Sequence, residues 1–418
     1  MPRITLMTLL DESLLITSSL RVADSAWDAD AASHADWVRL ADHADAHSLT
    51  PILYSTLGNR IPESIRDRFA RAYCDNGIRN THIKNELLEI HRLLDQARVP
   101  HLLLKGWSLI DHLYPDPAQR VLYDHDFLVP ENCAQIGHEA LRDAGFRLLP
   151  AKDHWIEKHL PSLWRNDYYK WDGYLFDPNY PRPVELHLQL WETHWRGLGV
   201  QPLPDPFARA QTKTIAGEPV QVLSDEDAVI HLAMHFAGHL IEREARLNQL
   251  LDLARFVYHS SGTPSGVSSI ARNEVEGRDL DWDLILQHSN IANVTRFVYA
   301  SLFLAHKLFR SPLPPKSIWK NFGLQTPPAF RDWLNEHGET DVLTSNYRQR
   351  HRGKSYRLTF LAARSVTERL GIIRFALVPS AAQLMAKYKI QSRVAIPFLY
   401  VRYFVERGVE YGRDLSRK

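Results

Sequence analysis

From about Asp28 to Gln96 apolar residues recur at intervals of three and four, as in Trp37, Leu40 and Ala41 and again in Leu87, Leu88, Ile90 and Leu94. That is the period of helices with one buried stripe, so residues 1–98 read as a helical region. The texture then changes. Val99 to Leu104 is a short apolar run bounded by Pro100 and Gly106, and Val121 to Val129 is another, each read as a strand. Glu131 to Ala144, closed by Gly145, reads as a helix, and the alternation predicts a mixed α/β layer. Val184 to Leu190 adds a strand, and Thr212 to Val222, turning at Ala216 and Gly217, a hairpin.

Ser224 with Asp227 three positions on is a capping pattern that opens a helix to about Ile241, followed by a second from Glu244 to Tyr258. Ser260 to Ser269 reads as a flexible surface loop, and helices resume near Trp282. Pro312 to Pro328 is dense enough in proline to suggest a linker. The pattern divides the chain into a helical region at 1–98, an α/β core at 99–224, helices packing on it at 225–310, and a linker with a helical segment at 311–418.

Composition narrows the class. In 418 residues, 44% are hydrophobic and 24% charged, which excludes a disordered or fibrous chain. The net charge of +1 provides no overall field for nucleic acid or anionic lipid. The total nonetheless hides a basic end, with sixteen Lys or Arg against four Asp or Glu from Arg348 to Lys418. Cys74 and Cys133 are too few for a disulfide scaffold or a Cys-based zinc site. Asp11 and Glu12 interrupt the apolar start, and Val394 to Val401 is too short to span a bilayer, so a cytoplasmic protein is expected.

The chemistry concentrates in Leu102-Leu-Leu-Lys-Gly106 and Tyr123-Asp-His-Asp-Phe-Leu-Val129. Residues two apart on a strand share a face, so Asp124 and Asp126 point together while His125 and Phe127 point the other way. Two adjacent carboxylates stay ionised together when a cation sits between them, and Mg²⁺ is the natural one for phosphate chemistry. Gly106, at a strand-to-helix turn, lets backbone N–H groups approach a phosphate, and Lys105 adds a point charge. His231, His235 and His239 form a stripe at intervals of four. With no Glu in a zincin position, it reads as core or cleft-lining histidine rather than a zinc site. Residues 155 to 195 hold five of the eleven Trp and four Tyr, a core signal more than a stacking surface.

These segments resemble the uncharacterised-nucleotidyltransferase family within the polymerase-β-like nucleotidyltransferase superfamily. The likeness rests on the Leu-Leu-Lys-Gly turn, Tyr114-Pro-Asp-Pro-Ala-Gln-Arg120, the Asp-X-Asp strand and Val184-Glu-Leu-His187. It extends more weakly to Asn85 and Glu86, to the histidine-bearing helix, and to Arg246 through Asp252. The resemblance implies an α+β fold, with a polymerase-β-like core embedded in N- and C-terminal helical regions. It implies three carboxylates holding two Mg²⁺ ions, Asp124 and Asp126 with Glu185 as the match for the third. Lys105, Gly106 and Arg120 would then serve the phosphates of a nucleoside triphosphate, ATP favoured. The turn departs from the superfamily's usual Gly-Ser or Gly-Gly, because Trp107 follows Gly106 and eighteen positions separate Gly106 from Asp124.

The implied reaction moves a nucleoside monophosphate onto a hydroxyl or phosphate of a small molecule, peptide or protein. An anionic acceptor suits the basic end, with nucleic acid compatible but not favoured. A kinase-like transfer from the same metal site and a non-catalytic nucleotide-binding or regulatory module are the alternatives.

Overall fold

The computed structural model describes residues 6–23, 27–149, 158–165, 169–193, 195–260, 279–345, 352–379, 381–388, 390 and 392–415. Helices α1 (Leu6–Ser19), α2 (Ala29–His34), α3 (Trp37–Ala46) and α4 (Thr50–Leu57) lead into α5 (Glu63–Gln96), which is 34 residues long. Then come β1 (Leu102–Leu103), α6 (Trp107–Leu113), β2 (His125–Leu128), α7 (Glu131–Asp143), β3 (Arg147–Leu148), β4 (Leu163–Trp164) and β5 (Val184–His187). A hairpin, β6 (Gln211–Ile215) and β7 (Glu218–Val222), completes the sheet.

Among the described residues these strands make one mixed sheet in the order β3-β4-β5-β2-β1-β7-β6. At its centre β2 runs parallel to β5 and antiparallel to β1. Alternation divides the two faces. Leu103, Phe127, Val184 and Leu186 pack with Ile83, Leu87, Ile90 and Leu94 of α5 and with Ala134 and Leu141 of α7. On the other face Leu102, Leu104 and Leu128 join the core of the helices that follow the hairpin. The acid face of β2 therefore looks toward those helices.

They are α8 (Asp225–Glu242), α9 (Leu247–Ser260), α10 (Trp282–Ile291) and α11 (Thr295–Phe309). Ser224 caps α8 by accepting from the Asp227 N–H. The loop expected at Ser260 to Ser269 lies, beyond Ser260 itself, outside the described residues.

Both expected strands are shorter in the ladder than their apolar runs. Pro100 has no N–H to give, and Lys105 and Gly106 take positive φ values of 25° and 58°, which ends β1. Ahead of β2 the chain is tied to α5 instead. Asn76 Nδ2 donates to the carbonyls of Ala118 at 2.7 Å and Arg120 at 3.1 Å, and Asn80 Nδ2 donates to that of Arg120 at 2.8 Å.

The proline-dense stretch is not a bare linker. It holds α12 (Lys316–Leu324), with Ile318 and Phe322 buried and Trp319 stacked on Tyr299 at 4.5 Å. Pro315 caps α12, while Pro327 and Pro328 open α13 (Pro328–Trp333). Proline suits a helix start, where its missing N–H costs nothing. Beyond α14 (Glu339–Leu343) lie α15 (Arg352–Ala362), α16 (Val366–Leu377), α17 (Ala381–Tyr388) and α18 (Ile396–Leu415). Leu358, Ala362, Ala363 and Ile372 belong to the main core, so α15 and α16 are built into the fold. Among the described residues no helix is long and apolar enough to cross a membrane.

On the face opposite the acids, His125 is locked by α5. Its Nε2 lies 3.0 Å from Glu86 Oε2, which also accepts from Arg182 Nε at 2.6 Å. Burial works against the Glu86 carboxylate, but the hydrogen bond and charge of His125 and the charge of Arg182 outweigh it and hold the group down at about 2. A depressed carboxylate contributes stability above its ordinary value of 4.5 and loses it as pH falls toward 2. About 3 kcal/mol should therefore disappear over that window. Urea unfolding of the parent and of Glu86→Gln at pH 6 and pH 3 checks this: the variant should show the smaller loss. An equal loss in both would assign the acid sensitivity to other groups.

Candidate active site

Asp126 and Glu185 are register partners on adjacent parallel strands, so their side chains project from the same face of the sheet. Asp124, one position ahead of β2, projects with them. His187 follows Glu185 by two positions and shares that face. Its Nε2 lies 2.9 Å from Asp126 Oδ1 and 3.4 Å from Glu185 Oε2. Glu185 also accepts from Ser162 Oγ at 3.3 Å and lies 3.4 Å from His159 Nε2.

Lys105 is the cation of the cluster. Its Nζ pairs with Asp126 and lies 3.4 Å from Asp124 Oδ2. Strand alternation from Leu103 would send Lys105 to the opposite face; the left-handed backbone at Lys105 and Gly106 turns it onto the acids. Such strain in a non-glycine residue costs on the order of 1–3 kcal/mol and persists where the surroundings over-determine it, here through two carboxylates. Gly106 caps α6 at φ 58°, ψ −121°, a region open to glycine. A Cβ there would meet nothing closer than the Leu104 carbonyl at 3.9 Å, so a larger residue would act through backbone strain rather than by filling a cradle.

The electrostatics show how dense the cluster is. Burial opposes the charged form of Lys105, but Asp124 and Asp126 raise its pKa well above the lysine range. Burial and the neighbouring Asp126 push Asp124 up. Asp126 is buried too, yet Lys105 and His187 hold it far below the carboxylate range. His187 is raised, because its bonds to Asp126 and Glu185 outweigh burial.

Arg120 is placed differently from its sequence reading. It is buried, and its Nε and Nη2 donate to the Asp252 carboxylate at 2.9 Å and 2.6 Å, while Tyr114 Oη donates to the same group at 2.6 Å. This ties the loop before β2 to α9. The histidine stripe runs along α8, with His235 and His239 half-buried. His231 is buried within the fields of Lys105, His187 and Asp126. Of the five tryptophans between 155 and 195, Trp191 and Trp195 are buried in the helical core, Trp164 is half-buried and Trp171 is exposed; Trp155 lies outside the described residues.

Oxygen and nitrogen donors of Asp126, Glu185 and His187 all lie within 4.8 Å of one another. Two carboxylates and an imidazole are a chemically competent donor set for a divalent ion. A family model described as an uncharacterised nucleotidyltransferase matches residues 33–310, well over half of the chain. The chain belongs to that family. No curated protein and no solved structure matches it. The nucleotidyltransferase match spans α3 through α11, so it takes in the acid strands, Lys105 and the histidine helix together.

His187 was not singled out as a site residue from the sequence. The signal was present, since it stands two positions from Glu185 and strand alternation puts both on one face. His159 gave no such signal, because it sits in a stretch dominated by aromatic residues.

Proposed function

We propose that this nucleotidyltransferase has a polymerase-β-like core. It transfers a nucleoside monophosphate from a triphosphate, ATP favoured, to a hydroxyl or phosphate of a small-molecule, peptide or protein acceptor. The observation that carries this reading is the lateral pairing of Asp126 with Glu185, with Asp124 on the same face. Asp124, Asp126 and Glu185 would hold Mg²⁺, two ions in the full site. Bound there, the metal supplies charge to the phosphates and acidifies the acceptor hydroxyl.

The chain's own residues supply the rest. Lys105 balances the acids and stands at the phosphate side of the site. Gly106 lets the turn form. His187 and Ser162 orient Asp126 and Glu185. Arg120 supports the acid strand through Asp252 rather than touching substrate.

Incubation with each nucleoside triphosphate and Mg²⁺, followed by mass spectrometry of released products, tests the reading. Pyrophosphate release supports it. ADP release would move the attack to the γ phosphorus, and turnover of no triphosphate in the presence of candidate acceptors would sink it. The basic end serves in this reading to gather an anionic acceptor. Because α15 and α16 are part of the core, removing the chain from Arg348 would cut into the fold. A chain ending at Val378 is the variant to compare for acceptor use at low and high salt.

A further inference from the structure

Lys105 is engaged by Asp124 and Asp126, and Arg120 by Asp252. A second set of donors stands beside the acids without such partners. His231 is only 3% exposed, yet among the described residues neither ring nitrogen has a hydrogen-bond partner. Buried polar atoms are nearly always satisfied, so two orphaned nitrogens on one ring point to a missing ligand.

His235 stacks on His231 with ring centroids 6.5 Å apart. Gln249 of α9 fixes its tautomer. The Gln249 Oε1 accepts from the Arg246 N–H at 3.2 Å, which turns Nε2 toward His235 Nε2 at 3.3 Å. His235 therefore accepts at Nε2 and carries its proton on Nδ1, a donor. The third element is Lys158, half-buried, its carbonyl accepting from the Leu188 N–H at 2.8 Å just past β5 and its neighbour His159 bridging to His187. Its charge is felt by His159, His187, His231 and His235. Among the described residues it has no carboxylate partner.

We propose that Lys158, His231 and His235 form a wall that holds the phosphate chain of the nucleoside triphosphate beside the acid cluster. The inference rests on the transferase reading and names the residues that take the phosphates in it. The chemistry suits that role. Burial, reinforced by Lys105 and His187, takes His231 down to about 3, so it is a neutral ring at physiological pH. Neutral imidazoles offer N–H donors to phosphate oxygens without drawing the neighbouring carboxylates onto themselves. A single ammonium, Lys158, then supplies the charge, much as a lysine does at other phosphate sites. Neither His231 nor His235 belongs to a metal-capable group among the described residues, whereas His239, further along the stripe, lies with Glu242 and Glu244 in one.

The test uses the full chain, with Mg²⁺ present and inorganic tripolyphosphate as the probe, measured by calorimetry. Lys158→Gln and His231→Leu should each weaken binding about tenfold, the loss expected for one hydrogen bond to a charged group. Lys158→Gln should also flatten the salt dependence of binding. His231→Leu should raise the unfolding midpoint of the ligand-free protein, because it removes unsatisfied polar atoms; a histidine with only a structural role would lower it. If both folded variants bind tripolyphosphate as the parent does, the wall is overturned and the transferase reading stands. Should His231→Leu fail to fold, Lys158→Gln decides alone. A parent that binds neither tripolyphosphate nor any nucleoside triphosphate would remove the transferase reading and this one together.

Discussion

Glu185→Gln is expected to reduce triphosphate turnover by roughly 10²–10³-fold, since a metal ligand contributes several kcal/mol and each 1.36 kcal/mol is a decade of rate. Its unfolding midpoint should stay within a few degrees of the parent's. The side chain is 20% exposed, and its contacts with Ser162, His159 and His187 are 3.3 to 3.4 Å long, so an amide of the same shape keeps the packing. Asp126 is the less informative position. It is buried and holds both Lys105 and His187, so Asp126→Asn would weaken the charge balance of a buried lysine and lower stability along with activity. Turnover measured beside thermal unfolding separates the outcomes. Unchanged turnover in a folded Glu185→Gln protein would remove this residue from the metal site.

The acid pair was readable because strand alternation is local: two positions of spacing fix a shared face, whereas Glu185 came only from the resemblance of Val184-Glu-Leu-His187 to the family. The helices on either side of the core were readable for the same reason, through periods of three and four. What stayed hidden is non-local or backbone in origin. No spacing rule announces that Lys105 adopts a left-handed conformation, yet that conformation delivers its ammonium to the acids. Proline density suggested a linker where three prolines instead open two helices, because the same fixed φ that breaks a helix interior starts one. Arg120 looked free to meet phosphates because its partner is 132 positions away on another helix.

That partnership makes Arg120 the position with the largest expected effect on stability. Arg120→Ala leaves the buried Asp252 carboxyl with only Tyr114, among the described residues, to donate to it, and breaking a buried pair from one side costs about 3–5 kcal/mol. Replacing both partners by apolar residues of similar size, Arg120→Met with Asp252→Leu, removes the stranded charge and should recover most of that loss. About 1 kcal/mol should remain missing for the unsatisfied Tyr114 hydroxyl. The double variant separates support from substrate contact. If Arg120 only anchors the loop before β2 to α9, the stabilised double variant binds nucleoside triphosphate with close to parent affinity. If its guanidinium also reaches the phosphates, urea unfolding will show stability regained while affinity stays at least tenfold weaker, and Arg120 returns to the binding site.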